Sequence, residues 1–360
     1  MNNNKHLYSV IAGTGSYIPE NIISGDSFLN STFYENGAII EKNITEIITK
    51  FSEITEIVER RYVDENSVNS NIAAIAAQRA IEDAGIDKET LDHIIFCHNF
   101  GDIKQGSNRM DMLPALAAKV KQQLEINNPD CVAYDLIFGC PGWVQGSIQA
   151  NYLIQSGDAK RVLVIGAETL SRIVDPHDRD SMIFSDGAGA VIYQAEETEQ
   201  PIGMIAHKTQ TYAGNYASLL VMGESYNPSL TDGNSYLKMN GRKLYEFAVL
   251  NVPQVVKTAI DKAGVNITDI KTVFIHQANG KMDNAIMKRL FKLYDIETVP
   301  ENLVPMTISW LGNSSVATIP TLLDLVLKGG VKGYKVNKGE YAVFASVGAG
   351  MHINAIVYKF

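Results

Sequence analysis

One passage occurs twice in this chain, and that duplication restricts the fold more than any other feature. Ala80-Ile81-Glu82-Asp83-Ala84-Gly85-Ile86 is matched by Ala259-Ile260-Asp261-Lys262-Ala263-Gly264-Val265. After each copy a short polar link leads into an apolar run, Ile94-Ile95-Phe96-Cys97-His98-Asn99 in the first half and Val273-Phe274-Ile275-His276-Gln277 in the second. The interval from glycine to histidine is 13 residues in one copy and 12 in the other. Each half also closes on Gly-Ala-Gly and an apolar strand: Gly187-Ala188-Gly189 before Val191-Ile192-Tyr193, and Gly348-Ala349-Gly350 before Ile356-Val357-Tyr358. Each unit reads as an amphipathic helix, a glycine C-cap, a polar loop and a buried strand. The offset is about half the chain, far beyond the roughly 20–50 residues of solenoid repeats, so a whole domain is duplicated. The reading is two α/β halves, over 1–200 and 201–360, which suits a chain of 360 residues. An interface between two such halves is a common ligand site. Residues 24–66 interrupt the first half with polar and charged sequence, plus an amphipathic piece around Ile44, Ile47, Ile48 and Phe51. That insertion is expected to cap the entrance to the site.

Cys140 is the strongest candidate for chemistry. The apolar run Ala133-Tyr134-Asp135-Leu136-Ile137-Phe138 ends in Gly139-Cys140-Pro141-Gly142 and then turns helical. A thiol at such an elbow lies at the positive end of a helix dipole, which favours thiolate and lowers the pKa. Pro141 suits a first helical turn, where its missing N–H is no loss. The helix over 143–154 reads as buried, with Val144, Ile148 and Tyr152 at spacings of four. The competing reading is a packed core cysteine. Two other sites weigh against it. His276 ends a buried strand in Val273-Phe274-Ile275-His276-Gln277-Ala278-Asn279, and Asn313 lies in Trp310-Leu311-Gly312-Asn313-Ser314-Ser315, before a helix expected near Val316. Alone, each is an ordinary strand end or turn. Together with Cys140 they form a set in which a histidine and an amide serve a thiolate.

Other chemistries find no support. A net charge of −9 argues against nucleic-acid binding, which demands a basic surface. No apolar run approaches the ~18 residues of a membrane helix, and Met1-Asn2-Asn3-Asn4-Lys5-His6 holds no signal core. Three scattered cysteines point to a reducing cytoplasm, with Cys97 and Cys131 structural. No Cys-x-x-Cys, His-Glu-x-x-His or calcium loop indicates a metal. Gly13-Thr14-Gly15-Ser16-Tyr17 lacks the rest of a dinucleotide fingerprint and reads as a tight turn. The sequons at Asn30 and Asn43 have no use in a cytosolic protein. His6, His93, His98, His177, His207 and His352 read as structural or surface groups. After His276, Lys281, Lys288 and Lys292 fall on one helical face with Arg289 at its flank, opposite Met282, Ile286, Leu290 and Leu293. On an acidic protein such a face is either solvated or steers an anionic partner.

Taken together, these segments resemble the β-ketoacyl-acyl carrier protein synthase III family of the thiolase superfamily, over almost the whole chain. The family's nucleophile segment is similar to 135–143, and its histidine motif is matched by His276-Gln277-Ala278-Asn279. Its asparagine loop is similar to Gly312-Asn313-Ser314-Ser315, and the end of its first half to Ser185-Asp186-Gly187-Ala188-Gly189-Ala190. The resemblance implies the thiolase fold, a five-layered αβαβα core, in a cytoplasmic homodimer. It also implies that Cys140 takes an acyl group from acyl-CoA or acyl carrier protein. His276 and Asn313 then hydrogen-bond malonyl-acyl carrier protein as carbon dioxide leaves, giving 3-oxoacyl-acyl carrier protein at the start of fatty-acid or related synthesis. By the same resemblance the oxyanion is held by the backbone of Cys140 and Ala349, Lys281, Lys288 and Arg289 dock the acidic carrier protein, and neither cofactor nor metal is required.

The chain departs from the family at three places. Where the family sandwiches the CoA adenine between Trp and Arg, aligning on Arg60-Arg61-Tyr62 puts Lys50 and Ile54, with Glu56 in place of a glycine. Proline follows the nucleophile where serine is usual. The bulky aromatic that closes the primer pocket across the dimer is Leu113 here, which implies a roomier acyl site. Alternative readings are a thiolase-fold enzyme joining longer acyl units, for a resorcinol- or quinolone-like product, a 3-hydroxy-3-methylglutaryl-CoA synthase, a noncatalytic partner subunit of a heterodimeric synthase, and a cysteine hydrolase with the chain order Cys, His, Asn.

Overall fold

The computed structural model describes residues 5–231 and 233–360; Met1 to Asn4 of the N-terminal reading lie outside them. The principal elements run β1 His6–Tyr17, α1 Ile44–Thr55, α2 Asn69–Ala84, β2 His93–Cys97, α3 Leu116–Gln123, β3 Val132–Leu136, α4 Gly142–Ser156, β4 Arg161–Thr169 and β5 Asp186–Thr198. They continue β6 Gly203–Thr211, α5 Gly241–Ala263, β7 Ile270–Ile275, α6 Gly280–Lys292, α7 Thr318–Leu327, β8 Tyr341–Gly348 and β9 His352–Lys359.

The duplicated passage builds the same local structure twice. The helices α2 and α5 both end at a left-handed glycine, Gly85 at φ +61° and Gly264 at φ +67°. Beyond each, the next N–H reaches back to the last turn, Ile86 to the Ile81 carbonyl and Val265 to the Ile260 carbonyl, both at 3.4 Å. A short 3₁₀ turn then leads into β2 or β7. The sheets repeat as well. The first has the order β1-β5-β4-β2-β3 and the second β6-β9-β8-β7. In each, one parallel pairing, β2 with β4 or β7 with β8, adjoins an antiparallel one, β4 with β5 or β8 with β9. The change of sheet falls between Thr198 and Gly203.

Both faces of the first sheet are covered, as the alternation along β4 requires. Leu163, Ile165 and Ala167 face a cluster shared with α2 and α3, while Val162 and Val164 face the one around α4 and α7. That second cluster joins Trp143, Val144 and Ile148 of α4 and Leu322, Leu323 and Val326 of α7 to Phe274, Phe344 and Ile356 of the second sheet. A third cluster packs α5 and α6 on that sheet's far side. The layers are thus helix, sheet, helix pair, sheet, helix.

Several expectations need correction. Gly13-Thr14-Gly15 is no turn; it lies inside β1. Its glycines let α2 press directly on the strand: a Cβ on Gly13 would fall 2.4 Å from the Ala84 nitrogen, and one on Gly15 2.3 Å from the Ala76 carbonyl. Tyr152 is exposed, lying on the outer flank of α4 against His207. The helix expected near Val316 is a 3₁₀ turn, Ser315–Ala317, that runs into α7. The insertion holds α1, whose Ile44, Ile47, Ile48 and Phe51 pack with Phe33 and Met182.

Candidate active site

The nucleophile candidate is fixed from both sides of the duplication. Gly139 takes φ +66°, and a Cβ there would fall 2.7 Å from the Ala349 carbonyl and 2.8 Å from its nitrogen. One on Gly348 would fall 2.6 Å from the Cys140 nitrogen. The turn after β8 therefore lies directly on the elbow before α4, with backbone against backbone. Pro141 is the N-cap of α4, one residue earlier than expected, and the helix begins at Gly142.

Asn313 joins this site through Ser315. The Asn313 loop is tied to the first half, its N–H donating to the Ile183 carbonyl at 3.0 Å and its carbonyl accepting from the Ser185 N–H at 2.8 Å. Ser185 in turn exchanges side-chain hydrogen bonds with the Arg61 backbone. Asn313 Oδ1 accepts from the Ser315 N–H at 2.8 Å, which leaves Nδ2 as the end that can donate to a substrate. Ser315, at φ +52°, donates its hydroxyl to Cys140 Sγ at 3.2 Å.

His276 follows β7, and its N–H donates to the Ala345 carbonyl of β8 at 2.8 Å, three residues before Gly348. Its neighbours explain the motif. Gln277, fully buried, accepts from the Thr307 N–H and donates to the Pro305 carbonyl, both at 2.8 Å, while Asn279 caps α6 by accepting from the Met282 N–H. Nδ1 of His276 is buried and has no partner among the described residues. Desolvation pulls the imidazole down to about 4, so it is neutral at physiological pH and one ring nitrogen is an N–H donor.

Cys140 corrects the expectation drawn from the helix dipole. The residue keeps some exposed surface, yet burial of the thiol, with Glu168 nearby, pushes it up to about 11 against the opposing pull of Ser315. Cys97 and Cys131 are fully buried, and desolvation raises both. Among the described residues no cluster of His, Cys, Asp or Glu could hold a metal.

The outlying residues are placed as follows. Lys281, Lys288 and Arg289 are exposed on α6, with Met282, Ile286 and Leu290 buried beneath. Leu113 is 87% exposed on the single chain, next to a cis Leu113-Pro114 bond. Lys50 and Ile54 are exposed on α1. Glu56 sits on Gly280, where a Cβ would fall 2.1 Å from its carboxylate. A concavity of about 750 Å³, lined by residues that include Tyr62, Gln105 and Arg172, involves none of Cys140, His276 and Asn313. Sequence reasoning missed Ser315, Asn99 and Glu168. The one signal for Glu168 was an acid at the end of the apolar run 162–167.

The fold and this elbow-and-loop arrangement define a condensing enzyme of the thiolase fold. The family model described as 3-oxoacyl-[acyl-carrier-protein (ACP)] synthase III matches residues 134–213, and its C-terminal counterpart matches 260–360. The chain is 31% identical to the β-ketoacyl-[acyl-carrier-protein] synthase III of Erythrobacter litoralis, over 98% of this chain and 100% of that one. It is 32% identical to the protein of that name from Neisseria meningitidis serogroup B, over 98% and 99%. The crystal structure of 3-oxoacyl-[acyl-carrier-protein] synthase III from Aquifex aeolicus superposes with a TM-score of 0.80 at 29% identity, covering 98% of this chain and 100% of that one. The chain belongs to the 3-oxoacyl-acyl carrier protein synthase III family.

Proposed function

We propose that this chain condenses a Cys140-bound acyl group with malonyl-acyl carrier protein, releasing carbon dioxide and 3-oxoacyl-acyl carrier protein. The observation that carries this reading is the joining of Cys140 to both halves, through Ser315 to the Asn313 loop and through Gly348 to the turn after β8. In the first step the Cys140 sulfur attacks the donor thioester carbonyl and the donor thiol leaves. The backbone N–H groups of Cys140 and Ala349 are the donors for the transient oxyanion. In the second step the bond from the malonyl α-carbon to its carboxylate breaks, and its electron pair becomes an enolate. Neutral His276 and the Asn313 amide donate to the enolate oxygen, each a preorganised donor aimed at developing charge. The enolate carbon then attacks the acyl-cysteine carbonyl, the new carbon–carbon bond forms and the cysteine sulfur leaves.

The exposed basic residues Lys281, Lys288 and Arg289 are the docking surface for the acidic carrier protein. A second copy of the chain pairs along β3, the open edge of the first sheet, where Val132 is 50% and Ile137 57% exposed. That copy brings Leu113 to its partner's acyl pocket. Three free cysteines and the absence, among the described residues, of a helix long and apolar enough to cross a membrane suit a cytoplasmic protein. The halves 1–200 and 201–360 are its two units.

The test is intact-protein mass spectrometry of wild type and Cys140→Ser with a panel of acyl-CoA and acyl-carrier-protein thioesters, chased with malonyl-carrier protein. The expected result is a Cys140-dependent acyl adduct that the chase converts into a 3-oxoacyl product. An adduct lost only to water points to the hydrolase reading and overturns this one. So does the absence of any adduct.

A further inference from the structure

Glu168 has no place in that mechanism, yet it stands two residues removed from the reacting sulfur. It is 1% exposed at the inner end of β4, where burial pushes the carboxyl up to about 8. Its Oε1 accepts from both the backbone N–H and the side-chain Nδ2 of Asn99, each at 2.6 Å. Asn99 Nδ2 also donates to Ser315 Oγ at 3.3 Å, and Ser315 Oγ donates to Cys140 Sγ at 3.2 Å. The direction of each link follows from the one before. An acceptor oxygen on Glu168 holds the NH₂ end of the Asn99 amide toward itself, and the second hydrogen of that NH₂ goes to Ser315. With a lone pair of the hydroxyl engaged, its hydrogen is turned onto the sulfur. The Ser315 backbone is held by Asn313 Oδ1 in the left-handed region, a conformation a serine seldom adopts.

We infer that Glu168, Asn99 and Ser315 form a polar relay that aims one hydroxyl donor at the Cys140 sulfur and so stabilises the thiolate that attacks the acyl donor. The inference rests on Cys140 being the nucleophile. Ser315 touches the reacting atom; Asn99 and Glu168 are positioning residues that act through it. Burial raises the Glu168 carboxyl, which reduces the negative charge it carries beside the thiolate at neutral pH while its acceptor oxygen stays in place. The acids facing the site are Glu168 from β4 and, behind it, Asp186 from β5.

The relay is tested by the pH profile of Cys140 alkylation by iodoacetamide, read on the Cys140 peptide by mass spectrometry with buried Cys97 and Cys131 as internal controls. Ser315→Gly removes the hydroxyl and suits the left-handed backbone. It is expected to move the alkylation midpoint to higher pH and to slow the reaction at fixed pH about tenfold, the effect of one hydrogen bond to a charged group. Asn99→Leu moves it the same way by less. Glu168→Gln and Glu168→Leu both remove the charge that Glu168 carries at the pH where Cys140 titrates, so the acceptor oxygen is read from the difference between them: the leucine midpoint is expected at higher pH than the glutamine one. A Ser315→Gly profile that overlies wild type, in a protein whose Cys140 still takes an acyl group, overturns the relay and leaves the nucleophile standing. Glu168→Gln and Glu168→Leu profiles that coincide overturn the role given to the acceptor oxygen. Wild-type Cys140 that takes no acyl group from any donor overturns both readings. Should either leucine variant fail to fold, Ser315→Gly decides alone.

Discussion

Replacing Gly348 with alanine sets a methyl group against Cys140, the proposed nucleophile. The new Cβ would fall 2.6 Å from the Cys140 nitrogen, 2.7 Å from Pro141 Cδ and 2.9 Å from Cys140 Cβ. Gly348 lies at φ −170°, ψ −164°, extended backbone that alanine adopts, so the perturbation is contact and not backbone strain. Ordinary van der Waals separation is ~3.5 Å, so the shortest contact falls short by about 0.9 Å, and the turn after β8 and the elbow before α4 must part. Overpacking of this kind costs about 1–3 kcal/mol of stability. The larger effect is on rate. Oxyanion donors act within about 2.7–3.1 Å, and loss of one costs about 10²–10³-fold. Gly348→Ala is therefore expected to slow acylation of Cys140 about 100-fold, followed as adduct mass against time. Alkylation by iodoacetamide, which develops no oxyanion, should slow far less. Gly85→Ala is the control: its φ is +61° and nothing lies within 4 Å of its Cβ, so it should lose stability and leave acylation alone. If acylation and alkylation slow equally in Gly348→Ala, or acylation keeps its wild-type rate, the assignment of these N–H groups as oxyanion donors is refuted.

Three further outcomes are expected. His276 is pulled from 6.5 to about 4 in the folded chain, so between those values the unfolded chain binds more protons; stability is full above about pH 6.5 and falls by up to about 3 kcal/mol as pH drops toward 4. Denaturant melts of His276→Gln should lack that part of the acid loss, and an unchanged pH slope would contradict the buried neutral imidazole. Asp283 is buried, neither carboxylate oxygen has a partner among the described residues, and desolvation with Glu56 nearby raises it well above the usual carboxylate range. Its ionisation costs stability as pH rises, so Asp283→Asn should be increasingly more stable than wild type toward alkaline pH; equal melts across the range would remove the argument. Leu113→Phe should shorten the longest primer that loads onto Cys140, read as the chain-length distribution of acyl adducts. An unchanged distribution would dismiss Leu113 as the gate.

What could be read from the sequence was what local chemistry dictates. Gly85 and Gly264 announce helix ends because a left-handed cap is a property of one residue, and both caps form the same bonds. The strand end at His276 and the loop at Asn313 were legible for the same reason. Gly13 and Gly15 were misread because what demands them is the backbone of α2, more than sixty positions away, pressed on the middle of a strand. Ser315, Asn99 and Glu168 were missed because their partnerships span 69 to 216 positions and leave no spacing to notice, the acid that ends the apolar run 162–167 being the one local mark.

The state of Cys140 shows how a correct local argument can point the wrong way. A helix N-terminus favours an anion by roughly 0.3–1 kcal/mol, and that much is legible at Gly139-Cys140-Pro141-Gly142. Burial acts in the opposite sense. Raising the thiol from 9.0 to about 11 corresponds to about 3 kcal/mol against the thiolate, so desolvation outweighs the dipole. Cys140 then rests as a thiol, and its thiolate has to be drawn out by a donor already in place, the Ser315 hydroxyl. Such a site resists adventitious alkylation and oxidation between turnovers, since the thiolate is the reactive form. It follows that Cys140 should react slowly with iodoacetamide at neutral pH and quickly with its own acyl donor, because only the donor develops an oxyanion between Cys140 and Ala349. A Cys140 that alkylated at neutral pH as fast as a low-pKa thiol would refute this balance and show that the helix dipole outweighs burial after all.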